Sequence, residues 1–201
     1  MSSAGLRRAD LDPDPLRQFA QWYSQASDAV PVPEAVVLAT ATAAGAPSAR
    51  MVLMKGFDQR GFVVYTNYFS RKGQEIAQNP RAAMLFHWQP LGRQVRIEGT
   101  VHRIDAAESD AYFATRPPGS RLSAAASPQS RVVENRAVLE AAVARLHARH
   151  PDGKVRRPDE WGGLRLVPSA YEFWQHGDDR LHDRFGYRRE GEAWIVERLG
   201  P

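Results

Sequence analysis

Short runs rich in β-branched residues, separated by tight turn signals, recur along this chain. That pattern excludes most architectures before any single residue is weighed. Ala35–Thr42 (AVVLATAT) and Ser48–Gly56 (SARMVLMKG) flank Ala44-Gly45-Ala46-Pro47, which predicts a hairpin. Asp58-Gln59-Arg60-Gly61 then turns the chain into Phe62–Thr66. Ala82–Trp88 and Arg93–Ile104 flank Pro90-Leu91-Gly92. Gly163–Val167, Tyr171–Gln175 and Arg184–Arg189 follow, the last turning through Glu190-Gly191-Glu192 into Trp194–Arg198. Hairpin-linked strands with interspersed helices predict an α+β, mainly β fold, an antiparallel barrel rather than a Rossmann sheet.

Helices punctuate this pattern. Asp14-Pro15 combines an N-cap with a proline at the first helical position, and Leu16, Phe19, Ala20 and Tyr23 continue as a one-sided apolar stripe that fades at Ser27-Asp28. Ser70 caps a predicted helix over Arg71–Gln78, which Asn79-Pro80 stops. Asp105 with Glu108 reads as a capping box for a helix to about Thr115. Arg116–Gln129 reads as irregular. A helix is expected over Asn135–His150, with Val138, Leu139, Ala142 and Leu146 on one face, followed by a loop over Pro151–Trp161. Residues 1–13 are polar and Pro-containing, expected as a mobile N-terminal arm ahead of a single domain, 14–201; 201 residues fit one domain.

Composition removes several function classes. Without cysteine there are no disulfides, thiol nucleophiles, Fe–S clusters or thiolate zinc sites. No G-x-G-x-x-G, P-loop, H-E-x-x-H or G-x-S-x-G motif occurs. Met1–Asp10 has two arginines but no apolar stretch behind them. The longest apolar run, Ala35–Ala46, is too short to span a bilayer, so a soluble, cytoplasmic chain with no membrane partner is expected. A formal charge of +4, with no basic run beyond Arg7-Arg8, Arg156-Arg157 or Arg188-Arg189, argues against a nucleic-acid partner.

Four segments carry candidate chemistry. Arg50-Met51-Val52-Leu53-Met54-Lys55 places a cation at each end of an apolar strand. It reads either as a clamp for an anionic ligand or as a buried strand with solvated ends. Ser70-Arg71-Lys72 sits at a helix start, where two cations oppose the dipole at about 0.3–1 kcal/mol each unless an anion compensates. This reads as a phosphate contact or a tolerated exposed pair. Tyr112, Arg116 and Ser120, spaced by four, suit a cluster of phosphate oxygens or are scattered surface groups. Arg180 and His182 share a face if the chain there is extended, with Arg184 continuing the row beside Trp174. Two histidines and three aspartates invite a metal, but the ligand spacing is unfamiliar and the arginines repel a dication, so no metal is expected. Arginine and histidine beside Trp174 suit an anionic aromatic ligand better.

In RMVLMK (50–55), YTN then SRK (65–72), RQVRIEG (93–99), YFATRPPGS (112–120), EFWQ (172–175) and RLHDRF (180–185), taken in order, the chain resembles the pyridoxine/pyridoxamine 5′-phosphate oxidases over nearly its whole length. The resemblance implies an FMN-binding split β-barrel with flanking helices. It implies a homodimer with FMN sites at the subunit interface. The implied reaction is oxidation of pyridoxine 5′-phosphate and pyridoxamine 5′-phosphate to pyridoxal 5′-phosphate by molecular oxygen, with hydrogen peroxide released. Implied FMN contacts are Arg50, Met51, Val52, Leu53, Met54, Lys55, Tyr65, Thr66, Arg71, Lys72, Gln94, Gln129, Ser130, Trp174 and Arg184. Implied substrate contacts are Lys55, Tyr112, Arg116, Ser120, Arg180 and His182, with Arg180 and His182 as the catalytic pair that holds the substrate ring.

Many relatives carry an acidic residue before the proline leading into the first strand, where this chain has Val32 before Pro33. The rival readings are a related FMN oxidase of phenazine biosynthesis and a non-catalytic flavin or pyridoxal-phosphate binding protein. The phenazine enzymes tend to lose the lysine at position 55 and the arginine of SRK, both present here. Only 3 of the 27 basic residues are lysines, Lys55, Lys72 and Lys154, and two of them fall in the implied phosphate motifs.

Overall fold

The structure is a computed structural model describing residues 5–201. Eight strands form the frame: β1 (Ala35–Ala41), β2 (Pro47–Asp58), β3 (Gly61–Asn67), β4 (Arg81–Trp88), β5 (Arg93–Arg103), β6 (Trp161–Gln175), β7 (Asp183–Glu190) and β8 (Ala193–Leu199). They pair antiparallel in the order β3-β2-β1-β4-β5-β6-β7-β8. β6 also pairs with β3, so the first six strands close into a barrel. The antiparallel barrel expected from the turn signals is therefore present.

β6 performs two tasks. Its first half, Trp161–Leu166, seals the barrel against β3, and its second half, Ala170–Gln175, carries β7 and then β8. The sequence pattern divides this stretch into two strands at Pro168-Ser169, but β5 bridges the division through a register shift at Glu98/Gly99. A bulge tolerates Pro168, which has no N–H to give the ladder. A Cβ on Gly99 would lie 2.0 Å from the Val167 carbonyl oxygen, so only glycine fits this crossing.

Five helices flank the sheet: α1 (Pro15–Ala29), α2 (Arg71–Gln78), α3 (Ala106–Thr115), α4 (Pro118–Ala126) and α5 (Arg136–Arg149). Asp14 caps α1 as expected, accepting from Leu16 N–H. The buried face of α1 centres on Phe19, Trp22 and Ala26. The Phe19 ring packs within 4.9–6.0 Å of Phe57, Phe62, Phe86 and Trp88. Burial of such a ring is worth about 1.5–3 kcal/mol, which makes α1 part of the barrel core.

Two local readings are corrected. Arg116–Gln129 holds a helix, α4, because Pro117 and Pro118 take the N-cap and first helical positions, where proline costs nothing. The Asp105 side chain makes no capping bond, and Glu108 instead reaches Arg165 at 2.7 Å. α5 buries no residue; its Leu139 and Val143 share a 730 Å³ groove with Leu122 of α4. Of the segment expected as an arm, residues 1–4 lie outside the described residues. Leu6 and Leu11 are buried in the core, and Leu6 N–H donates to Asp183 Oδ2 at 2.8 Å. No helix among the described residues is long and apolar enough to cross a membrane.

Candidate active site

The sequence-predicted site residues fall into three groups. The first gathers at the N-terminus of α2. Ser70 caps that helix, accepting from Gly73 N–H at 3.3 Å. A Cβ on Gly73 would lie 2.2 Å from the Tyr68 carbonyl oxygen, so glycine permits the close approach of this turn. Arg50 reaches the same place from β2. Its Nη1 donates to the Leu38 carbonyl at 3.1 Å and to Thr40, and its Nη2 donates to Ser48 and lies 3.4 Å from Glu75 Oε2. Arg71 Nε donates to Glu75 Oε1 at 2.9 Å.

Lys72 Nζ completes this group. It donates to three neutral oxygens, Thr66 Oγ1 at 3.0 Å, Ser70 Oγ at 3.1 Å and Gln129 Oε1 at 3.2 Å. Burial, then the neighbouring Arg50 charge, brings the Lys72 ammonium down to about 8. A helix N-terminus, two guanidiniums and a destabilised ammonium stand together, an arrangement that can accommodate a multiply charged anion. Ser130, next to Gln129, holds a left-handed φ of 67°, a conformation that costs energy without glycine.

The second group adjoins the first. Tyr65 of β3 stacks on Tyr112 of α3 with centroids 3.8 Å apart and on Trp161 at 5.4 Å. The Arg116 guanidinium lies 4.6 Å over the Trp161 ring. Its Nη1 is buried without a hydrogen-bond partner among the described residues. Arg116, Ser120 of α4, Asn67, Gln129 and Trp161 line a cavity of about 360 Å³. Burial lowers the guanidinium of Arg116, raises the phenol of Tyr112, and raises that of Tyr65 to about 12. A guanidinium with one unsatisfied N–H beside a helix N-terminus can take an oxygen acceptor.

Met51, Leu53 and Lys55 project outward from β2, with Met51 and Leu53 largely exposed, while Val52 is half-buried and Met54 buried in the core. Lys55 Nζ lies 3.7 Å from Glu34 Oε1. Val32 stands before Pro33 where many relatives have an acidic residue, and the carboxylate beside Lys55 is that of Glu34.

The third group stands on β5, β6 and β7, where Gln94, Trp174 and Arg184 form one row across the sheet. The His182 ring lies 4.6 Å from the Trp174 ring, and its Nδ1 accepts from Gly177 N–H at 3.2 Å. Arg184 donates from Nε to Glu172 at 2.9 Å and from Nη1 to the Gly200 carbonyl at 2.7 Å. The extended row expected through Arg180, His182 and Arg184 is broken. Asp178–Arg180 forms a 3-10 turn with left-handed φ at Asp179 (53°) and Arg180 (64°), which leaves Arg180 exposed.

Trp161 and Trp174 mark the two ends of β6. Thirteen residues at about 3.3 Å each separate them by roughly 40 Å along the strand. Sequence reasoning missed Glu75, Glu34 and Trp161. Only Glu75 had a local signal, four residues after Arg71 on one helix face.

The profile of the family described as pyridoxamine 5′-phosphate oxidase matches residues 24–150. The chain belongs to the pyridoxamine 5′-phosphate oxidase family. Residues 161–201 match a pyridoxine 5′-phosphate oxidase C-terminal dimerisation region, which indicates a homodimer for this oxidase-family chain. A pyridoxine/pyridoxamine 5′-phosphate oxidase from Paraburkholderia phymatum is 55% identical, covering 100% of this chain and 95% of that one. One from Rubrobacter xylanophilus is 55% identical, covering 98% and 92%. The crystal structure of PhzG from Burkholderia lata, in complex with tetrahydrophenazine-1-carboxylic acid, superposes with a TM-score of 0.93. It is 33% identical and covers all of both chains. A pyridoxamine 5′-phosphate oxidase-related, FMN-binding protein from Nostoc punctiforme, 18% identical with a TM-score of 0.73 and covering 95% of this chain and all of that one, shares the fold.

Proposed function

We propose that this chain is an FMN-dependent oxidase that converts pyridoxine 5′-phosphate and pyridoxamine 5′-phosphate to pyridoxal 5′-phosphate. The observation that carries the reading is Arg116. A half-buried guanidinium beside Ser120, its Nη1 without a hydrogen-bond partner among the described residues, adjoins the cations at α2 across Gln129, so one subunit offers cations for two anions. Two sites suit a phosphorylated cofactor and a phosphorylated substrate.

The residues fit FMN. Arg50, Arg71 and Lys72 hold its phosphate at the α2 N-terminus, with Thr66, Gln129 and Ser130 around them. Tyr65 and the outward face of Arg50–Lys55 border the rest of the cofactor. When bound, FMN would supply the two-electron redox chemistry that couples substrate oxidation to reduction of molecular oxygen to hydrogen peroxide. Lys55, Tyr112, Arg116 and Ser120 hold the substrate phosphate and so fix the distance from phosphate to reacting carbon. Arg180 and His182 hold the substrate ring in the reactive pose. Gln94, Trp174 and Arg184 complete the flavin contacts. Trp174 and Arg184 lie in the stretch that matches the dimerisation region, so this group is read as reaching the cofactor from a second copy. The site then lies at the subunit interface, in keeping with the dimerisation region at 161–201.

The likeness to PhzG favours a second reading, a phenazine-type oxidase, which keeps a flavin site but needs no substrate phosphate site. Oxygen uptake by the FMN-loaded protein separates the two. Pyridoxine 5′-phosphate is expected to drive uptake with matching hydrogen peroxide. Uptake with a tetrahydrophenazine carboxylic acid and none with either B6 phosphate contradicts the proposal.

A further inference from the structure

We propose that Glu75 is the positioning residue of the flavin phosphate site, aiming Arg50 and Arg71 and setting the charge of the site to that of a phosphate dianion. The inference rests on the reading that Arg50, Arg71 and Lys72 receive the FMN phosphate.

Glu75 lies one helical turn after Arg71 and is buried between α2 and the β1–β2 hairpin. Both carboxylate oxygens are committed. Oε1 accepts from Arg71 Nε at 2.9 Å; Oε2 receives the hydroxyls of Thr40 and Ser48 and faces Arg50 Nη2 at 3.4 Å. Arg71 is otherwise a mostly exposed, flexible side chain, and Glu75 is the anchor that gives it one direction. Arg50 is fixed from two sides, by the Leu38 carbonyl and by this carboxylate with its hydroxyls.

A carboxylate beside an anion site is unfavourable unless it serves the cations. Three cations against one carboxylate leave two positive charges, and a phosphate monoester carries about −1.5 to −2 at neutral pH. Burial raises the Glu75 carboxyl, but the Ser48, Thr40 and Arg71 hydrogen bonds outweigh it and bring it down to about 2, so it stays charged while the site works. Without it, Arg50 and Lys72 repel unopposed and Arg71 loses its tether.

The test compares FMN with riboflavin, which lacks only the phosphate. Dissociation constants are read from flavin fluorescence with the full-length chain freed of flavin. The wild-type chain is expected to prefer FMN. In Glu75→Gln that preference should fall about tenfold or more while riboflavin affinity holds, since hydrogen bonds between charged partners are the strong ones. Ser48→Ala, which removes one anchor of the carboxylate, should lower the same ratio less. An unchanged ratio, or tighter FMN binding, in Glu75→Gln overturns the positioning role. Should Glu75→Gln fail to bind riboflavin, Glu75→Asp keeps the charge with a shorter reach and should still lower the ratio, and an unchanged ratio there overturns the aiming of Arg50 and Arg71. A wild-type chain that binds both flavins alike overturns the phosphate-site reading itself, and the positioning role with it.

Discussion

Two guanidiniums in this subunit are held ready in different ways. Arg50 is held by a carboxylate, hydroxyls and a backbone carbonyl, so its direction is fixed and part of its charge is spent inside the protein. Arg116 is held by the face of Trp161 and keeps a buried Nη1 without a hydrogen-bond partner among the described residues, so its charge is not spent on a carboxylate there. The difference matches two residence requirements. A cofactor that stays suits a saturated, preorganised cradle; a substrate that must leave suits a cation restrained only by a ring.

As a first test, Arg116→Ala should separate the two guanidiniums most clearly. It should raise KM for pyridoxine 5′-phosphate by about ten- to a hundredfold and leave the FMN dissociation constant unchanged, as expected for a lost charge-assisted contact. Steady-state kinetics and flavin titration on one preparation check both halves; an unchanged KM removes Arg116 from the substrate site.

The second concerns pH. Lys72 binds an anion in its protonated form, and its ammonium stands at about 8. FMN affinity should therefore hold near pH 7 and weaken as pH rises through 8, by up to about tenfold at pH 9. The FMN phosphate is already a dianion over this window, so the trend belongs to the protein. Lys72→Met should bind FMN weakly with no such slope; a flat wild-type profile contradicts the assignment.

The smallest effect tests the ring. Trp161→Phe keeps an aromatic face with a weaker hold on Arg116 and should raise substrate KM by about two- to fivefold, with FMN binding intact. Equal weakening of both ligands would show that Trp161 supports the whole region rather than Arg116.

Legibility in the sequence followed the range of the interactions. α2 was legible to the residue because Ser70 and Asn79-Pro80 are local signals. α4 was hidden because Pro117-Pro118-Gly119 reads as a breaker, although proline at a helix start is permitted. β6 read as two strands because its continuity depends on a bulge opposite Gly99, far away in sequence. Closure of β6 onto β3 joins residues about a hundred positions apart, which no local pattern announces. In the site, the cations of SRK and the Tyr112–Arg116–Ser120 spacing were visible as charge and periodicity. Thr40, Ser48 and Trp161, which help to hold them, were not, because each is recruited by tertiary packing, and Glu75 showed only its i,i+4 spacing from Arg71. The left-handed backbone at Asp179 and Arg180 was equally silent, since neither residue is glycine.

We propose that the Arg116 cavity reads the substrate's phosphate, and comparing pyridoxine 5′-phosphate with unphosphorylated pyridoxine on the FMN-loaded dimer tests this. Without the phosphate, kcat/KM should fall by about a hundredfold or more, with the loss concentrated in KM. Equal kcat/KM for the two compounds would contradict it.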